Sequence, residues 1–318
     1  MTAPASSIAA SMRLPIIAAP MFLVSGPEMV IAACKAGIAG AFPTPNCRTV
    51  EDLDRWMDQI TSALSPGDGP WVANMITHST NNRLEEDLRL VAQYKPPVVI
   101  TALGSPKPVM ETVKAYGGRV FADVVSMKLA RKAAEAGVDG LACISAGAGG
   151  HTGHLSPFAF ISAVRDFFDG QIAVGGGVGD GAGVAGAIAA GADYVYMGTR
   201  FLATRESMAQ PAYKQMVVDA GPDDLMISDA ISGTAASWLK PSLRAAGLDP
   251  DALGAPIERN YASENQKRWK DIWAAGQGLD HVRAIEPLAS VVDQLDAEYS
   301  AALEAFQRRT QFHRQWTA

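Results

Sequence analysis

The stretch Gly147–Arg205, GAGGHTGHLSPFAFISAVRDFFDGQIAVGGGVGDGAGVAGAIAAGADYVYMGTRFLATR, decides the fold. It holds two strand-like runs, Gln171–Gly177 and Tyr194–Thr199, each closing on glycine or on a Gly-Thr pair. A helix of small residues fits between them over Gly181–Ala190, with Asp180 placed as its N-cap. A strand that ends in glycine and turns at once into a helix lets backbone N–H groups and the positive helix end approach a phosphate. Gly175, Gly176, Gly177, Gly198 and Thr199 are therefore candidate phosphate contacts. Just upstream, Gly149-Gly150-His151 sets an imidazole beside backbone that a flat ring can approach closely. One segment offers both a phosphate cradle and a titratable group.

Working outward, strand-like and helix-like runs alternate from the start of the chain. Pro15–Pro20 is a short apolar run, and Ser25-Gly26-Pro27-Glu28 reads as a capping box opening a helix that stops at Gly37. Ile38–Thr44, Trp71–Ile76, Pro97–Leu103, Arg119–Val125 and Gly140–Ala146 repeat the apolar pattern. Ser105-Pro106, Ser126 and Ser156-Pro157 look like helix starts directly after strands. There is also an internal echo: CKAGIAGAF around Gly37, EAGVDGLAC around Gly137 and AAGADYVYM around Gly191. Each predicts a helix stopped by a left-handed glycine, then a tight turn into a buried strand. The same joint used three times implies one supersecondary unit repeated. Eight strand candidates by Thr199, continuous and apolar, predict a parallel sheet closed into a (β/α)8 TIM barrel. A doubly wound open sheet is the alternative, but its phosphate glycines normally follow the first strand, and here they follow the last ones.

After Arg205 the texture changes. The expected organisation is a barrel over 1–205, a helical insertion or lid over 206–280, and a C-terminal helix over 281–318 closing against the barrel. The insertion carries Trp238, Trp269 and Trp273, three of the six tryptophans. Pro287–Arg309 places Leu288, Val291, Val292, Leu295, Tyr299, Ala302, Leu303 and Phe306 at helical spacing.

Composition excludes several classes. Of 318 residues, 48% are hydrophobic and 19% charged, which suits a folded core and not disorder. A formal charge of −6 gives no reason to propose a nucleic-acid or anionic-membrane partner, and no apolar run is long enough for a membrane span. The N-terminus lacks a cationic start followed by an apolar block, so no signal peptide is expected. Cys34, Cys47 and Cys143 are odd in number and widely spaced, which fits buried reduced thiols and a cytoplasmic setting. The sequence leaves the oligomeric state open, a homo-oligomer included.

The glycine arrangement, Gly-Gly-His and MGTRFLATRES at 197–207 together resemble the nitronate monooxygenase (2-nitropropane dioxygenase-like) family of FMN-dependent TIM barrels, over nearly the whole chain. AAPM at 18–21 looks like the family's first-strand flavin contact, ANM at 73–75 its third-strand one, and AAGQG at 274–278 its closing Gln-Gly segment. The resemblance implies FMN as cofactor, with Ala19, Pro20, Met21, Asn74, Asp123, Gly149 and Gly150 joining the glycine cradle as cofactor contacts. It implies His151 as the catalytic residue, and alkyl nitronates (or nitroalkanes) oxidised with O2 as the activity. FMN-dependent enoyl-ACP reductases and NAD(P)H:quinone reductases share the barrel, so a reductase that uses NAD(P)H is the alternative. One departure concerns Ala122-Asp123-Val124, where relatives often carry a lysine-containing tripeptide. A cation there would stabilise a reduced flavin's negative charge, and an aspartate can act only as a hydrogen-bonding partner or a neutral acid.

Each residue also has a plainer reading. His151 fits a helix cap or surface loop, Asn74 a turn, and Met21 generic core. His154 follows His151 by three residues, but no further ligands at metal spacing accompany them. His78, His281 and His313 have no supporting constellation and read as surface.

Overall fold

The computed structural model describes residues 8–255 and 270–314. Eight parallel strands close a barrel: β1 (Ile16–Ala18), β2 (Ala39–Pro43), β3 (Trp71–Ile76), β4 (Val98–Ala102), β5 (Arg119–Val124), β6 (Gly140–Ile144), β8 (Gln171–Gly175) and β9 (Tyr194–Met197). Between β6 and β8 lies the two-residue β7 (Gly150–His151), which belongs to a different sheet. The ring shuts where Ile17 of β1 faces Tyr196 of β9. Helices α1 (Pro27–Lys35), α2 (Val50–Ala63), α3 (Leu84–Tyr94), α4 (Lys107–Ala115), α5 (Met127–Glu135), α6 (Pro157–Arg165) and α7 (Gly181–Ala189) alternate with the strands, and the four-residue α8 (Thr199–Leu202) follows the last.

The strands are apolar on both faces because both faces are buried. Inward, Ile17, Val72, Ile100, Phe121 and Tyr194 interlock with the small Ala39, Ala41, Ala142 and Ala173. Outward, Phe42, Val99 and Val195 join Met57 of α2 and Phe160 of α6 in the layer between strands and helices. The three echoed joints are left-handed glycines, Gly37 at φ +85, Gly137 at +82 and Gly191 at +107. Ser126 and Ser156 cap α5 and α6 by accepting from Leu129 N and Ala159 N.

Two expectations are corrected. No Ser25 capping box opens α1, whose N-cap is Gly26 with no side-chain hydrogen bond. The buried Ser25 hydroxyl is used inward instead, accepting from Met21 N at 2.9 Å and donating to Ala19 O at 3.2 Å, which fixes the loop after β1. The segment after Arg205 is not helical alone. Besides α9 (Pro211–Asp219) and α10 (Lys240–Ala245) it holds β10 (Leu225–Ser228) and β11 (Ala236–Leu239), an antiparallel pair. These strands form because alternate residues, Ala236 and the fully buried Trp238, face a small core of their own with Ile231, Leu243 and Ile272. Trp269 lies outside the described residues. Finally, α11 (Leu288–Arg314) packs on α7 so closely that a Cβ at Gly181 would come within 2.2 Å of Tyr299 N.

Among the described residues no helix is long and apolar enough to cross a membrane. Cys34, Cys47 and Cys143 are all free and buried, and burial pushes each thiol up to about 12.

Candidate active site

A parallel barrel collects the ends of all its strands at one face, and the main cavity opens there. It has a volume of about 1050 Å³. Every residue singled out for the site lines it: Ala19, Pro20 and Met21 after β1, Asn74 on β3, Asp123 on β5, Gly149, Gly150 and His151 after β6, Gly175–Gly177 after β8, and Gly198 and Thr199 after β9.

The glycine side is shaped by close approach. Gly176 sits at φ +138, and a Cβ there would stand 2.6 Å from Ala146 O. Gly177 is left-handed at φ +70, and its N–H donates to Gly147 O at 3.1 Å. Gly198 differs: its φ is −107, and a Cβ would meet nothing closer than Met21 Sδ at 3.4 Å. The protein itself does not require glycine at 198. The segment 274–278 folds over this side, with Gln277 N donating to Gly147 O and Gly276 N to Thr199 Oγ1 at 2.8 Å. It is anchored by the Tyr213 hydroxyl on Ala274 O and by Tyr213 stacking on Trp273 at 5.0 Å.

One sequence expectation fails here. The N-terminus of α7 does not open toward the cavity, because two carboxylates already occupy it. Asp180 accepts from Gly183 N at 2.7 Å, and Glu298 of α11 accepts from Gly181 N at 2.9 Å. Negative charge at that helix end is already supplied by the chain, and the backbone that lines the cavity on this side is that of the loop after β8 and the start of α8.

The opposite side is polar and buried. Asn74, 6% exposed, donates through Nδ2 to Ile100 O and to Asp123 Oδ2, each at 3.2 Å. The other carboxylate oxygen, Asp123 Oδ1, and the Tyr196 hydroxyl are sealed from solvent, and the two side chains act on each other's titration. Burial pushes the Asp123 carboxyl up to about 7, against the opposing pull of the Asn74 amide and the neighbouring Tyr196, and burial holds the Tyr196 phenol well above its ordinary value. No charged side chain offsets this burial, so the environment favours the neutral carboxyl over the carboxylate. Tyr196 escaped the sequence reading. The signal was the alternation of β9, which turns Tyr194 and Tyr196 to the same inner face.

His151 is half-buried, and its backbone is not a loose loop. β7 pairs antiparallel with β11, His151 opposite Ala236 and Gly150 opposite Ser237. Thr152 N donates to Ala235 O at 3.1 Å, and Ser237 Oγ donates to Ala275 O at 2.7 Å. His154 is exposed and does not line the cavity. His78 places Nδ1 2.8 Å from Thr80 Oγ1, outside the cavity, and His281 packs beside Gly179.

The family model described as nitronate monooxygenase matches residues 68–298, more than half of the chain. A nitronate monooxygenase of Paraburkholderia phytofirmans is 26% identical, covering 91% of this chain and 93% of that protein. A (3aS,4S,5R,7aS)-5-hydroxy-7a-methyl-1-oxo-octahydro-1H-indene-4-carboxyl-CoA dehydrogenase of Rhodococcus jostii is 29% identical over 69% of this chain, and the match spans 60% of that protein's length. Among solved structures, the nitroalkane oxidase of Streptomyces ansochromogenes has a TM-score of 0.80 at 24% identity, covering 95% of this chain and all of that one. FabK of Thermotoga maritima has a TM-score of 0.77 at 24% identity, covering 95% and 97%. These structural likenesses speak for the barrel. The match over residues 68–298 carries the assignment: the chain belongs to the nitronate monooxygenase family, a family of oxidoreductases.

Proposed function

We propose that this enzyme is an FMN-dependent monooxygenase that oxidises alkyl nitronates, and nitroalkanes after loss of a proton, with O2. The observation that carries the reading is that a glycine cradle and a polar floor of Asn74, Asp123 and Tyr196 share one cavity. At Gly198 the chain leaves out a side chain that its own packing would admit, which supports a ligand in that space. Across the mouth, Asn74, Asp123 and Tyr196 bring polar side chains to the same cavity, which suits the polar edge of a flavin ring.

On this reading Gly175–Gly177, Gly198 and Thr199 hold the phosphate. The Thr199 hydroxyl accepts from Gly276 N, which leaves its own proton to donate. Ala19, Pro20, Met21, Asn74, Asp123, Gly149 and Gly150 surround the ring. Bound there, FMN supplies one-electron chemistry between a carbanionic substrate and O2. Asp123, where a lysine would place a cation, supplies no positive charge and serves as a hydrogen-bonding partner whose burial favours the neutral acid. His151 holds the substrate's nitro group as imidazolium, or takes the α-proton of a neutral nitroalkane as free base. The apolar wall around Met21 keeps water away from the reacting carbon.

The cradle accommodates one phosphate, so flavin released by heat and resolved by chromatography is expected to be FMN; recovery of FAD would refute the assignment. Anaerobic stopped-flow mixing separates the activities. Fast flavin bleaching by a nitronate supports the monooxygenase, and bleaching by NADH or NADPH alone supports a reductase. His151→Asn is expected to keep FMN. It should lose about 10²–10⁴-fold in flavin reduction by a neutral nitroalkane, the range for a lost general base. With preformed nitronate the loss should be nearer that of one charge-assisted hydrogen bond, about 1.5–3 kcal/mol. Unchanged rates with both substrates would remove His151 from the mechanism.

A further inference from the structure

The turn after β9 carries a charge that the mechanism leaves unused. Thr199 lines the cavity, and Arg200, which follows it, reaches α11 instead. At 5% exposure it is the most buried arginine among the described residues. Its Nη2 donates to Gln294 Oε1 at 2.5 Å, its Nε has no partner, and it forms no ion pair with a described residue.

Two other partly buried arginines are treated differently. Arg83 pairs with Asp87 at 2.9 Å and donates to Cys47 O, and Arg165 pairs with Asp193 while donating to Gly170 O and Gly191 O. A buried guanidinium that lacks a carboxylate keeps its field, because protein screens it far less than water does. Burial holds Arg200 below its ordinary pKa, with Arg283 acting in the same direction and Glu298 and Glu286 against it. Both of those carboxylates are engaged elsewhere. Glu298 accepts from Gly181 N at the start of α7, and Glu286 Oε2 accepts from Gln294 Nε2 at 2.9 Å. Gln294 thus stands between Arg200 and Glu286, bonded to both. Gln294 and Glu298, four residues apart on α11, therefore reach the turn after β9 and the start of α7, which flank the glycine cradle.

We infer that the buried Arg200 guanidinium, left without a carboxylate by its neutral partner Gln294, makes the cradle select a phosphorylated ligand over its unphosphorylated counterpart, FMN over riboflavin. Arg200 is a positioning residue: it acts through the turn at Gly198-Thr199 and touches no ligand atom. The inference rests on the phosphate reading above and deepens it by naming the source of positive charge. Asp180 and Glu298 already occupy the N-terminus of α7, so that helix end is not free for a phosphate. Arg200 is the buried cation next to Thr199, and the choice of an amide at 294 keeps its charge unspent.

The test titrates the flavin-stripped full chain with FMN and with riboflavin by fluorescence and compares the two dissociation constants. Arg200→Gln should cut the preference for FMN about tenfold, the scale of one unit charge screened by protein, with riboflavin affinity nearly unchanged. Arg200→Lys, which keeps the charge, should retain most of the preference. The sharper variant is the exchange Glu286→Gln with Gln294→Glu. It keeps the total charge and allows both hydrogen bonds, but it places the carboxylate directly on Arg200. The melting temperature should hold or rise while the FMN preference falls, a pair of directions that a packing role does not produce. Should Arg200→Gln fail to fold, the exchange decides alone. Equal losses for FMN and riboflavin, or a preference untouched by the exchange, overturn the inference and leave the flavin reading intact. If neither flavin binds wild type, inorganic phosphate takes their place. A phosphate-dependent rise in melting temperature that the exchange abolishes keeps the Arg200 anion site while the flavin reading fails, and no effect of phosphate overturns both.

Discussion

The two sides of the barrel mouth are built by opposite means. At the ends of β6, β8 and β9 the chain makes room by omitting side chains, at Gly149, Gly150, Gly175–Gly177 and Gly198. At β3 and β5 it buries polar ones, with Asn74 on Asp123 and Tyr196 close by. The first side answers to shape and the second to protonation. The same kind of perturbation should therefore read out as lost space on one side and as altered pH dependence on the other.

Gly176→Ala should have the largest effect. Its φ of +138 suits only glycine, and the added carbon would meet Ala146 O at 2.6 Å. Strain at such a position costs on the order of 1–3 kcal/mol before any clash. A markedly lowered melting temperature together with lost flavin is expected, and a variant melting like wild type would break the claim that this turn is shaped by sterics.

Asp123→Asn comes next and tests the other side. With the folded carboxyl raised to about 7, the folded chain keeps a proton that the unfolded chain gives up near its ordinary pKa of about 4. Stability from this group is thus complete below about pH 4, falls as pH rises, and is lost once pH passes about 7. The asparagine variant, neutral throughout, should lose this slope and be the more stable protein at pH 8, by on the order of a few kcal/mol. Urea unfolding of the flavin-free chains at pH 5 and pH 8 measures it; parallel profiles would show that Asp123 ionises freely.

The smallest effect on the fold belongs to Gly198→Ala. Its backbone is ordinary and its nearest neighbour stands at 3.4 Å, so the melting temperature should stay within about 1 kcal/mol-equivalent of wild type. Flavin affinity should nevertheless fall, because the methyl group enters the space assigned to the phosphate. Unchanged flavin content in this variant would move the cradle away from β9.

Most of the barrel was legible because strands buried on both faces read as unbroken apolar runs, and because Gly37, Gly137 and Gly191 punctuate them alike. The glycine side was legible for the same reason: the omissions stand in sequence order beside the strand ends. What escaped depends on distant partners. Nothing near Gly181 announces that Glu298 will cap α7, and nothing in Gly150-His151 announces two residues of strand. The β10–β11 hairpin was missed because its ladder partner is that short strand and its core is gathered around Trp238. Tyr196 was visible only as one apolar-looking letter in a strand, and its place in the buried polar floor depends on Asp123 beside it.

The pairing of β7 with β11 sets what can be exchanged between related barrels. His151 travels with a strand edge: its backbone is one rung of a ladder whose other rungs are Ala236 and Ser237, and Ser237 in turn holds Ala275. A graft of residues 147–154 alone would carry the imidazole and leave β11 with an open edge, the kind of exposed ladder that invites pairing with another chain. The transplantable unit is discontinuous, the loop together with the hairpin and the 274–278 segment, and a swap that respects it keeps the imidazole at the cavity wall.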